Sequence, residues 1–358
     1  MNDKVAAARR FSLHVFRVEE GLGNASLLEL PDGRFGFVDW GTRHPDAIQS
    51  AFELIDRHNI AFIAATHAHA DHTMGIRDVL REAALRDVAV ERFAYPATST
   101  HKRYAHLTRA RETAVDLGVA CSAVSVDEFE TAEGPQRPPA LAIGDGWEVR
   151  VLSPGSTLIG KSEIRAMQKN VVPGNDTSMV ILFRFYGGIH AGRGLLTGDA
   201  ERLTLDFARR TAERFPHLEL RNDCLFVPHH GARSGVPEWL LDLSDGAVVI
   251  SGRTDSNYHP ARDTLMAVAY RCAASGGKLY CTSYAKACGD AYHGRTGVGD
   301  AHLVKSGRCF GDFTIFIDDL QGARLSRSSD PGEARRAYGL CRVSSPLRQD
   351  AAEGSPHR

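Results

Sequence analysis

The chain has 358 residues, with 43 basic and 44 acidic side chains and a formal charge of −1 when histidine is neutral. At this length roughly three quarters of the extended-chain surface can be buried. A core therefore forms without disulfide staples, and 43% hydrophobic with 24% charged residues excludes collagen-like, coiled-coil and wholly disordered chains. The near-zero charge excludes a diffuse basic surface for nucleic acid but leaves room for a local anion site. The N-terminal MNDKVAAARRFSLHVFRVEE lacks an apolar h-region, and no run approaches 18 apolar residues. The expectation is a cytoplasmic chain with no membrane span. Its seven cysteines (Cys121, Cys224, Cys272, Cys281, Cys288, Cys309 and Cys341) contain no C-x-x-C. They read as thiols, and the four between 272 and 309 are poorly spaced for a structural zinc site.

In chain order, residues 11–40 read as paired strands around a Pro31-Asp32-Gly33 turn. Apolar residues at helical spacing mark 45–58, and the continuous apolar run 59–66 suits a buried strand. Residues 74–86 read as a helix, 88–95 as a strand and 99–118 as a basic helix. Pro135, Pro138 and Pro139 make 121–140 a loop or insertion. Strands follow around Gly144-Asp145-Gly146, and then 155–176, containing Gly, Lys and Asn, reads as a mobile loop. SMVILFRFYG and GRGLLTGD read as strands, 200–215 as a helix, and DCLFVPHH and GAVVISG as strands. A helix near 260–274 precedes the strands KLYCTS and DFTIFIDD. One domain over 1–324 and a flexible tail over 325–358, rich in Ser, Arg, Gly and Pro, complete the expected layout. Strands alternate with helices in two successive runs, which predicts an α/β architecture.

The segment Thr66-His67-Ala68-His69-Ala70-Asp71-His72-Thr73 sits directly after an apolar strand. In extended chain His67 and His69 point the same way, while Asp71 and His72 fall at a helix entry, so one short loop can feed two ions. Imidazole with carboxylate suits zinc, iron or manganese. Later strand ends repeat the pattern: Asp199 follows LLTG, His229 and His230 follow LFVP, and His259 precedes Pro260. Side chains from several strand ends converge at one edge of a layered α/β sheet.

The series D-W-G, H-A-H-A-D-H, T-G-D, P-H-H-G resembles that of metallo-β-lactamase-fold hydrolases. GLGNASLLELPDG, N-D-T-S and N-Y-H-P bring it closest to the competence-related, ComEC/Rec2-like branch. The resemblance spans roughly residues 11–320, with an insertion near 99–140. It implies an αββα sandwich, two mixed sheets covered by helices, with two divalent metal ions, Zn or Mn, at one sheet edge. Carried over by position, it implies His67 and His69 on the first ion, Asp71, His72 and His230 on the second, and Asp199 between them. Asp39 would orient the ligand loop from behind. Two departures stand out. Where many members carry a further histidine, this chain has Asn175-Asp176-Thr177-Ser178, leaving Asp176, Ser178, His229 or water to complete the first position. Ala232 stands where competence-type proteins have serine, removing one phosphate contact.

The resemblance implies a phosphodiesterase or nuclease that attacks with hydroxide activated at a dinuclear centre. Asp71 and His259 are the expected catalytic groups, the first accepting a hydrogen bond from water and the second donating to a phosphate oxygen or leaving group. Lys161, Lys169 and Arg103 are candidate phosphate contacts for a nucleotide or nucleic-acid substrate. Two alternatives stand beside it. One is hydrolysis of a C–O, C–N or thioester bond, as in lactonases, lactamases and glyoxalases. The other is a metal-stabilised, non-catalytic module with a protein partner.

Overall fold

The computed structural model describes residues 9–16, 18, 23–98, 104–126, 130–131, 134–135, 137–169, 174–186, 192–252, 259–282, 313–318 and 322–325. The first half of the chain lays down β1 (Arg10–Val15), β2 (Ala25–Glu29), β3 (Phe35–Trp40), α1 (Pro45–Ile55) and β4 (Ile60–Ala64). It continues with α2 (Ala70–Thr73), α3 (Ile76–Leu85), β5 (Arg92–Pro96), α4 (Ala105–Asp116) and β6 (Ala120–Val124). Two short strands, β7 (Glu130–Thr131) and β8 (Gly134–Pro135), pair with each other before β9 (Ala140–Gly144) and β10 (Trp147–Val151). The second half adds α5 (Ser156–Lys169), β11 (Ile181–Phe185), β12 (Arg193–Leu196), α6 (Arg202–Arg214) and β13 (Asn222–Phe226). Then come α7 (Glu238–Asp242), β14 (Ser244–Ile250), α8 (Arg262–Ser275), β15 (Lys278–Cys281), β16 (Phe313–Asp318) and β17 (Gly322–Leu325).

Two sheets result. One has the order β17-β16-β1-β2-β3-β4-β5-β6 and the other β15-β14-β13-β12-β11-β10-β9. Each is antiparallel through its hairpins and parallel through its helical crossovers: β3 to β6 in the first, β12 to β15 in the second. Both sheets are therefore mixed, in agreement with the expected α/β class.

Three apolar layers explain the stacking. Phe11, Leu13, Phe62, Val149, Phe183 and Val249 lie between the sheets. Phe37, Ile63 and Phe93 meet α1, α3 and α4 on the outer face of the first sheet. Leu182, Leu225 and Val248 meet α6, α7 and α8 on the outer face of the second. Strands buried on both faces read as continuous apolar runs rather than alternating ones. In β4, Ile63 packs outward while Phe62 and Ala64 pack inward, and all five residues are buried. This is an αββα sandwich.

Two expectations change. Residues 155–176 are not simply a loop, because α5 occupies Ser156–Lys169. Only Ile159 and Ser162 of its first two turns are deeply buried, and Ile164 points to solvent, so no apolar stripe announced the helix. The 121–140 loop contains strand residues as well: β6 pairs in parallel with β5 and extends the first sheet, and α4 packs beside α3. The region 99–140 thus carries a sheet strand and its covering helix. No helix among the described residues is long and apolar enough to cross a membrane. Arg103, His190 and nearly all of 325–358 lie outside the described residues.

Candidate metal centre

Four parallel strands of the two sheets end at the same place. β4 runs into Thr66–His72, β12 into Asp199, β13 into His229 and His230, and β14 into Ser251. The carboxyl ends of parallel strands are where open α/β sheets gather their functional side chains. Tight turns make the convergence possible. Gly198 has φ +52, and a Cβ there would lie 2.5 Å from the Thr66 hydroxyl. A Cβ on Gly41 would lie 1.7 Å from the Asp71 carbonyl oxygen, so the loop after β3 touches the histidine loop directly.

Asp39 anchors the histidine loop. It is 2% exposed and sits in the left-handed region at φ 56. Its Oδ1 accepts the Thr66 amide at 2.7 Å, and its Oδ2 accepts the Thr66 hydroxyl at 2.8 Å and the His72 Nδ1 proton at 2.7 Å. A carboxylate only accepts, so Nδ1 of His72 carries a proton, which makes Nε2 the nitrogen available to an ion.

That Nε2 lies 3.0 Å from Asp199 Oδ1, with His230 Nε2 3.5 Å from the same oxygen and 3.4 Å from Asp71 Oδ2. On the other side of the carboxylate, Asp199 Oδ2 is 3.6 Å from His67 Nε2, which is 3.1 Å from His69 Nδ1. The donor atoms of Asp71, His72, Asp199 and His230 all lie within 4.8 Å of one another, as do those of His67, His69 and Asp71. The two groups share Asp71, and Asp199 stands between them with one oxygen turned to each.

His72 Nε2, Asp199 Oδ1 and His230 Nε2 are buried without hydrogen-bond partners. Leaving such atoms unmade costs about 1–3 kcal/mol each. The two nitrogens lie 3.0 and 3.5 Å from that one oxygen, and a divalent cation among them would satisfy all three together. Imidazole nitrogen with carboxylate oxygen is a donor set for zinc or manganese. These residues therefore fit the ion that the sequence resemblance implies.

Without an ion, the carboxylates and imidazoles of the cluster set one another's protonation. Burial opposes ionisation of Asp199, yet His72, His230 and His67 hold its carboxyl well below the ordinary range. Burial likewise opposes a charge on Asp71, but His72 and His230 hold its carboxyl low. Burial works against protonation of His72 and His230, but Asp199 and neighbouring carboxylates raise both above the usual imidazole value. His67, His69 and His229 go the other way, pushed down chiefly by burial.

The turn Pro228–Gly231 places two adjacent imidazoles on one side. His229 (φ 49, ψ 47) and His230 (φ 52, ψ 21) are both left-handed, at about 1–2 kcal/mol per residue. His230 is held from behind by Nδ1 donation to the Ser251 carbonyl at 2.9 Å. His259 joins the cluster with its ring 5.1 Å from that of His229 and 6.2 Å from that of His230.

Other expected residues fall elsewhere. Asp176 accepts a hydrogen bond from Arg165 of α5 at 2.9 Å, which directs its carboxylate to an ion pair. Ser178 is fully buried and its hydroxyl has no hydrogen-bond partner. Lys161 is an exposed residue of α5, and Lys169 ends that helix with its side chain outside the described set. Several contributors carried no sequence signal beyond their neighbours. Thr66 is held by Asp39. Tyr104 sets its ring 5.7 Å from His69, with its phenol pushed up to about 12 by burial. Gly174 passes so close that a Cβ would sit 2.4 Å from the His69 ring.

No family model matches this sequence, and no curated protein does. Solved structures do resemble it. A diphosphatase of the PhnP family shows 14% identity and a TM-score of 0.37, covering 76% of this chain and 86% of that one. The metallo-β-lactamase fold protein YhfI from Bacillus subtilis shows 11% identity and a TM-score of 0.36 over 76% of this chain and 85% of its own. The long form of RNase Z from yeast shows 12% identity and a TM-score of 0.36, covering 80% of this chain and 39% of that enzyme. At such distances these likenesses carry no weight on activity. The αββα architecture stands on the strand order and the three apolar layers, and the centre on its converging donors.

Proposed function

We propose that this chain is a metal-dependent hydrolase of phosphodiesters with a dinuclear centre. The observation that carries the reading is the set of buried, partnerless donor atoms around Asp199. His67 and His69 would hold the first ion, Asp71, His72 and His230 the second, and Asp199 both. Divalent ions at that centre supply Lewis acidity and lower the pKa of water towards neutrality.

The chain's own groups have separable tasks in this scheme. Asp71 accepts a proton-side hydrogen bond from the attacking water. Asp39 keeps the His72 lone pair turned towards Asp199 by holding the opposite proton. His259, at the rim of the cluster, donates a proton to the leaving oxygen. An anionic substrate would also meet cationic side chains at a shallow recess beside α2, lined by Arg43, Met74, Arg77, Asp78, His106 and Arg109. Arg43 spends its charge on Asp78 at 3.0 Å, while Arg77 and Arg109 add positive charge beside α2. That local surplus suits phosphate contacts that the net charge of −1 conceals.

The test is a substrate panel on the purified chain, with Mn and Zn supplied separately: bis-p-nitrophenyl phosphate, single- and double-stranded DNA, RNA, a lactam and a thioester. Turnover of the phosphodiesters supports the proposal. Turnover confined to the lactam or thioester moves the centre to C–N or thioester chemistry. No turnover with less than one ion bound per chain leaves a binding module.

A further inference from the structure

The side of Asp199 that faces His67 is short of a nitrogen donor. The sequence between 155 and 186 contains no histidine. Its stretch nearest the first position comes up bare: Gly174 lies against the His69 ring, and Asp176 is taken by Arg165. The opposite wall supplies an imidazole instead. His229 Nε2 stands 3.9 Å from Asp199 Oδ2, the oxygen that lies 3.6 Å from His67 Nε2. Two donors bound to one ion at about 2.0–2.2 Å are at most about 4.4 Å apart, so each spacing to Asp199 Oδ2 allows a shared ion, while His229 stands outside the two groups whose donor atoms all lie within 4.8 Å of one another.

The backbone adds an independent reason. Successive residues of a strand face opposite ways, and a P-H-H-G strand end would send one imidazole away from the site. The double left-handed turn prevents this and aims the pair at the two oxygens of one carboxylate, His230 towards Oδ1 and His229 towards Oδ2. Behind His229, the Glu201 carboxylate lies 3.7 Å from Nδ1, beyond hydrogen-bond distance.

We infer that His229 is the third nitrogen ligand of the first metal position, supplied by the strand end after β13 in place of a histidine from the 155–186 segment. This rests on the metallohydrolase reading above. Asn175 Nδ2 lies 3.1 Å from His229 Nε2, so the amide and an ion compete for one lone pair, and the amide yields when the ion binds.

Bound metal is counted by elemental analysis and titrated calorimetrically with Mn²⁺ and with Zn²⁺ on the full chain, on His229→Ala and on His259→Ala. The wild-type chain is expected to take two ions. His229→Ala keeps one at wild-type affinity, while the other weakens by about 100-fold or more. His259→Ala, which alters the neighbouring ring, keeps both. Thermal unfolding in chelator verifies the fold, and His229→Gln replaces the alanine variant if that one does not fold. Two ions at unchanged affinity in both His229 variants overturn the inference and make His229 a substrate contact. A wild-type chain that binds one ion overturns it together with the dinuclear centre, while leaving a single-ion hydrolase standing. One that binds none overturns both.

Discussion

Asp39→Asn separates orientation from ligation. Asn tolerates the left-handed backbone at φ 56 and nearly matches aspartate in shape, so the change acts through hydrogen bonding. Asp39 accepts three protons, from the Thr66 amide, the Thr66 hydroxyl and His72 Nδ1. An amide oxygen placed to accept from the Thr66 amide leaves an NH₂ group facing His72 Nδ1. Two donors cannot share that 2.7 Å contact, so His72 must move its proton to Nε2 or turn away. Either response removes the lone pair aimed at Asp199. Outer partners of ligating histidines are worth about 10–100-fold in metal affinity, or about 1.4–2.8 kcal/mol. Losing the charge-assisted bond to His72 costs a further ~1.5–3 kcal/mol of folding stability. Calorimetric titration of the second ion, with chemical unfolding in chelator, reads both quantities. Wild-type affinity for both ions in Asp39→Asn would show that Asp39 does not set the His72 tautomer.

Further outcomes follow from the same contacts. Asp199→Ala abolishes hydrolysis while thermal unfolding shows the fold retained, because Asp199 lies on a turn outside the three apolar layers; unimpaired turnover removes it from between the ions. Gly41→Ala drives a Cβ into the Asp71 backbone, destabilises the chain by about 1–3 kcal/mol or more and weakens metal binding, both measurable on the purified variant. Glu148 is buried and accepts bonds from Arg150 at 2.6 Å and Arg184 at 2.7 Å. Burial opposes its charge, but the two guanidiniums hold its carboxyl below the ordinary 4.5. Its contribution is therefore complete above about pH 4.5 and is lost as pH falls through the lower folded value. Urea unfolding from pH 3 to 7 should show the gap between wild type and Glu148→Gln closing on the acid side, and a pH-independent gap would refute the assignment.

Most of the fold was legible because burial on both faces of a strand writes itself as continuous apolar runs, as in Ile60–Ala64. α5 was not legible, because a helix that buries only a small face needs no stripe and Gly160 reads as a breaker. β6 was missed for a related reason: as an edge strand it is largely accessible, and the prolines beyond it dominate the local composition. Asp176 looked like a ligand because it lies in N-D-T-S, but Arg165 reaches it only once α5 forms.

The sequence by itself determined the alternation of strands and helices, the residue types of the centre and their placement at strand ends, since each depends on local periodicity and chemistry. Only the tertiary structure decided how those residues divide. Two sheets had to pack before Asp199 from β12 could stand between a loop from β4 and a turn from β13. The turn's left-handed residues then assigned His230 to one oxygen and His229 to the other. Such assignments depend on distances of 3–4 Å between groups more than a hundred residues apart, and no local pattern encodes them.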